Sequence, residues 1–143
     1  MPPRSAAGFV SRSVEGRRGV RFEINEMNIR VSRMDNYFPF REKISKAFFR
    51  GSTTGGVYTR ENWRTMPRSR VVQVSMDRPD LLDARFSNVA QSDELTKRDM
   101  EAAGFLGSYV DQDEQWRYKL IVVPDGNSVP DRLMSQLASN SVS

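Results

Sequence analysis

The chain has 143 residues and contains neither cysteine nor histidine, which excludes disulfides, thiolate nucleophiles, Cys- or His-ligated metal sites and Ser-His-Asp chemistry. Hydrophobic residues make up 38% and charged residues 28%; the longest apolar run, LIVV at 120–123, is far too short to cross a bilayer, so one domain of ordinary composition is expected. The net charge of +4 is unevenly spread, since residues 1–70 carry 15 basic and 6 acidic side chains (+9) whereas residues 71–143 carry 7 and 12 (−5).

Residues 1–19, MPPRSAAGFVSRSVEGRRG, hold Arg4, Arg12, Arg17 and Arg18 against the single acid Glu15. They lack the long apolar segment of a secretory signal and read as a basic arm, although a transit peptide shares this composition. The next segment, VRFEINEMNIRV at 20–31, shifts its apolar phase: Val20, Phe22 and Ile24 are even, Met27, Ile29 and Val31 odd. A hairpin turning at Asn25-Glu26 places all six side chains on one face, with Arg21 opposite Arg30; a β-bulge at the same point would also restore the face.

PFREKISKAFFRG, 39–51, predicts a short helix with Pro39 in its first turn, Phe40, Ile44, Ala47 and Phe48 as its apolar stripe, and Gly51 past its end. Its polar face is basic, with Arg41, Lys43, Lys46 and Arg50. GSTTGG, 51–56, is a loop and not a P-loop, because Val57 stands where the lysine is needed. The following segment interleaves Tyr58 and Trp63 with Arg60, Arg64, Arg68 and Arg70, the mixture that base stacking with phosphate neutralisation uses, and also what an inward-facing aromatic pair with wet arginines gives.

VVQVSM, 71–76, predicts a strand. PDLLDARFSNVA, 79–90, predicts a helix with Leu82, Phe86, Val89 and Ala90 inward. LTKRDMEAAG predicts another, with Thr96 and Asp99 at capping-box spacing, a Leu95–Met100 staple and a stop at Gly104. Residues 105–123 predict a second hairpin turning at DQDE, which pairs Tyr109 with Trp116, Gly107 with Tyr118 and Phe105 with Leu120. PDGN is a turn, and Leu133, Met134 and Leu137 mark a terminal helix before a polar tail at 139–143. The expected architecture is therefore α+β: a single domain over 20–138 with a mainly antiparallel sheet, built from hairpins at about 20–31 and 105–123 plus a strand near 70–76, and three or four short helices.

Little catalytic chemistry is legible. Asp111, Asp113 and Glu114 form the densest acidic cluster, but Gln115 and Trp116 follow where an EF-hand needs a glycine and further oxygen ligands, so the cluster reads as a hairpin tip. Pro79-Asp80 lacks the (Asp/Glu)-x-Lys strand that would complete a carboxylate nuclease motif. No cofactor, metal, membrane or small-molecule substrate is indicated, and an enzyme is not expected. The charge asymmetry and the basic arm point instead to a structural or assembly subunit that binds copies of itself and other structural subunits, most readily a virion component such as a capsid, neck or tail protein, located in the virion or the host cytoplasm. The alternative is a nucleic-acid-binding module. Either would use Arg4, Arg12, Arg17, Arg18, Arg21, Arg41, Lys43, Lys46, Arg50, Tyr58, Arg60, Trp63 and Arg64.

Overall fold

The computed structural model describes residues 38–127, Leu133, Gln136 and residues 139–143. The basic arm and the 20–31 segment, and with them Arg4, Arg12, Arg17, Arg18 and Arg21, lie outside the described residues, as does most of the expected terminal helix. After a 3-10 turn at Phe40–Glu42, the chain runs through strand β1 (Ile44–Ser52), helix α1 (Pro67–Asp77), strand β2 (Leu82–Asn88), helix α2 (Glu94–Ala102), the short helix α3 (Gln112–Gln115) and strand β3 (Tyr118–Ile121). The sheet has the order β2-β1-β3, with β1 parallel to both neighbours.

This corrects the expected antiparallel sheet. β1 occupies the segment expected as a helix, α1 the segment expected as a strand, and β2 the segment expected as the second helix. The 105–123 hairpin does not form either: its DQDE turn falls at α3, and Tyr118–Ile121 pairs with β1 in register Phe48↔Ile121. Two adjacent strands running in one direction cannot be joined by a tight turn, so the β1–β2 connection passes through α1.

The reversals share a physical cause. A central parallel strand is covered on both faces and loses the alternation that marks a half-exposed one. Phe49 of β1 joins Leu82, Ala84 and Phe86 in the main core, beneath Val72 of α1 and Met100 of α2. Phe48, equally buried, turns to the other side and stacks on Tyr118 with ring centroids 4.4 Å apart. Such consecutive aromatics imitate a helix stripe.

Helix α1 misleads in the opposite sense. Proline takes its first turn, where the missing N–H costs nothing. Its buried positions are Arg68, Ser69, Val72 and Ser75, whereas Val74 is 51% exposed. Small hydroxyl residues let the helix sit close to the sheet, and Ser75 makes that contact polar: its Oγ donates to Leu82 O and accepts from Ala84 N, both at 2.9 Å. Ser75→Ala would strand the buried Ala84 N–H, and urea unfolding should show a loss of about 1–3 kcal/mol.

Helix α2 forms where it was expected, but its cap differs. Asp93, one residue before the helix, accepts from Thr96 N at 2.7 Å, Thr96 itself is buried, and Leu95 of the expected staple is largely exposed. Gly104 follows with φ +76°, the left-handed conformation suited to a residue past a helix end. The Thr96 N–H holds the Asp93 carboxyl below its ordinary value of 3.8. A lowered native pKa stabilises above the ordinary value and the contribution is lost as pH falls through the native one. Asp93→Asn should therefore remove part of the acid-side slope of stability between about pH 4 and pH 2 in thermal melts, with no change of slope near neutrality.

Candidate functional site

With β1 in the centre, the chain leaves it toward β2 on one side while β3 lies on the other. In open parallel sheets this change of direction opens a crevice beyond the carboxyl ends of the two strands, the usual ligand position in such folds. Here the loops at that end are 53–56 after β1 and 122–127 after β3. Both are glycine-bearing: Gly55 and Gly56 have φ of +89° and +144°, and Gly126 lies so close to Arg68 that an added Cβ would stand 2.5 Å from Nη2.

Arg68, in the first turn of α1, fastens the two loops. Its Nε donates to Asp125 O at 2.8 Å, Nη1 to Ser52 O at 2.9 Å and Nη2 to Pro124 O at 3.2 Å. The residue is 5% exposed, and its guanidinium carbon lies 5.8 Å from the Phe49 ring centroid. Burial pushes its pKa below the usual arginine value, against the opposing pull of Tyr58 and Asp125. Burial likewise raises the Tyr58 phenol, with Arg68 acting to lower it. Among the described residues only backbone carbonyls accept from Arg68, so a buried cation is held by dipoles and by no directly bonded carboxylate.

A second fastening lies at the rim: Asn127 Oδ1 accepts from Gly55 N at 3.0 Å. The N–H groups of Thr54 and Gly56, on either side, donate to no group among the described residues. Beneath Arg68 a cavity of about 10 Å³ is lined by Phe49, Arg50, Gln115, Val122 and Gln136 among others, room for one water. A wider groove of about 490 Å³ lies on the Phe48 face of the sheet. Its two arginines are already paired, Arg50 with Asp83 at 2.8 Å and Arg117 with Glu114 at 3.1 Å, and Asp111 adds a further acid, so the crevice is the better candidate for an anionic ligand.

Of the residues expected to form an interaction surface, the eight that are described are dispersed and largely engaged in the fold. Tyr58 and Trp63 are core residues, 1% and 3% exposed; Tyr58 meets Phe86 edge-on and Trp63 meets Phe105 edge-on. Neither offers a free ring face for a base. Lys43 is buried and donates to Ser139 O and Ser141 Oγ at 2.6 and 2.7 Å, which ties the C-terminal residues to the start of β1. Lys46 donates to Pro79 O, and Arg60 pairs with Asp99 at 2.7 Å. Arg64 lies over the Trp63 ring at 4.2 Å, and Arg41 is exposed beside Glu42. Arg50 and Arg60 of the basic half thus meet Asp83 and Asp99 of the acidic half within one chain.

Arg68, Gly55, Gly126 and Asn127 were outside the expected interaction set. A glycine-rich loop directly after a strand is the signal that points to them, and it is visible only once residues 44–52 are recognised as a strand. No group of acidic side chains among the described residues is placed to hold a metal ion, and no helix among them is long and apolar enough to cross a membrane. Comparison with known proteins finds no matching family model, no matching characterised protein and no matching solved structure.

Proposed function

We propose that the chain is a binding unit for a small phosphate-bearing ligand, which docks in the crevice between the 53–56 and 122–127 loops. The observation that carries this reading is Arg68, a buried cation at the point where the strand order reverses, bonded only to carbonyls among the described residues. Burying an unpaired charge costs several kcal/mol, and peptide dipoles offset only part of it. A guanidinium offers five N–H donors in a planar fork, of which three are used here, and the fork matches two oxygens of one phosphate. The glycines let backbone approach the ligand closely, as phosphate sites require. The reading concerns binding alone, and no catalytic step is part of it.

Titration of the full chain with inorganic pyrophosphate tests it. Saturable binding is expected, and Arg68→Lys, which keeps the cation but loses the fork, should weaken it by roughly 10- to 100-fold, the range for hydrogen bonds to a charged group. Urea unfolding of the variant would separate lost binding from lost structure. Absence of binding, or equal binding by folded Arg68→Lys, would contradict the proposal.

Self-association as a structural subunit, including the virion role, is a second reading that one observation favours. Leu120 of β3 and Val142 bridge side by side yet are 44% and 56% exposed, an apolar pair on the β3 side of the sheet. Under this reading light scattering at high concentration should show a multimer that Leu120→Glu dissociates; a wild-type monomer removes it.

A further inference from the structure

The crevice as it stands is shut over its own cation, because Arg68 is only 5% exposed. We propose that the hydrogen bond from Gly55 N–H to Asn127 Oδ1 is the latch that keeps it shut, so that opening of the 124–127 loop admits the ligand. This rests on the phosphate-binding reading above.

The argument is one of exchange. The 124–127 segment is fastened at two places, by Arg68 at Pro124 O and Asp125 O and by Asn127 at Gly55. When the loop lifts, phosphate oxygens replace the two carbonyls on Arg68, so those donors end as well bonded as they began. The Asn127–Gly55 bond has no such replacement built into the crevice, and it therefore sets the difference between shut and open states. It is also exposed, unlike the inner fastening, so water competes for it at every opening. The remaining packing gives the loop little slack. A Cβ added at Gly55 would stand 3.4 Å from Asp125 O, and one at Gly126 would stand 3.2 Å from Thr54 Oγ1, so the two loops run close together. A ligand that binds only the open state pays for its scarcity in apparent affinity, and loosening the latch returns that factor.

Two measurements on the full chain decide it. In Asn127→Ala, solvent exchange of the Arg68 Nε–H, followed by NMR, should quicken about fivefold, the factor an ordinary net hydrogen bond contributes. Asn127→Asp keeps an acceptor for Gly55 and should exchange at the wild-type rate. Apparent affinity of Asn127→Ala for inorganic pyrophosphate should tighten by up to about fivefold. Unchanged exchange in Asn127→Ala would overturn the latch, and so would weaker pyrophosphate binding, which would mark Asn127 as a ligand contact. If wild type binds no pyrophosphate, the phosphate-binding reading falls while the exchange comparison still judges the latch.

Discussion

One buried guanidinium spans the carboxyl ends of β1 and β3, and several features of the fold bear on its placement. Arg68 reaches Ser52 at the end of β1 and Pro124 and Asp125 beyond β3 from the first turn of α1. That reach requires the two strands to end on the same side of the sheet, hence parallel pairing, and requires α1 to start at that same end. Pro67 supports the start of α1, and the small residues Ser69 and Ser75 bring the helix close to the sheet. A side chain with five donors suits this task because carbonyls left at a strand end have no ladder partner.

The same geometry gives the site its chemistry. Buried cations are rare because desolvation works against them, and those that persist are usually paired. Here Asp125 stays exposed and contributes its backbone oxygen as the acceptor. The positive charge is thus satisfied geometrically while remaining available electrostatically. A phosphate entering the crevice would meet a charge whose desolvation is already included in the folded state, which is the sense in which such a site is preorganised.

Legibility in the sequence followed the range of each signal. Helix α2 was readable because caps, stops and its buried Met100 act within one or two turns, although Asp93 and not Thr96 proved to be the cap. β1 and α1 exchange roles because their patterns report tertiary surroundings: Phe48 and Phe49 are buried on opposite faces of a covered strand, and two of the four inward positions of α1 are serines while Val74 faces water. The composition of the 105–123 segment is strand-like, yet its Tyr118–Ile121 part pairs with β1 and its Leu106 bridges Phe86 of β2, partners outside the segment that local hairpin rules do not reach. The candidate site is hidden from the sequence for the same reason. GSTTGG and PDGN read as loops, but only the parallel order brings them to one end, and Arg68 is one arginine among several until α1 turns it inward.

The most direct test of this account is the NMR signature of the Arg68 side chain in the wild-type protein. A guanidinium fixed between both loops predicts a single, slowly exchanging Nε–H resonance with nuclear Overhauser contacts to protons of both Ser52 and Gly126. A resonance that exchanges freely with water, or that shows contacts to one loop and none to the other, would contradict it.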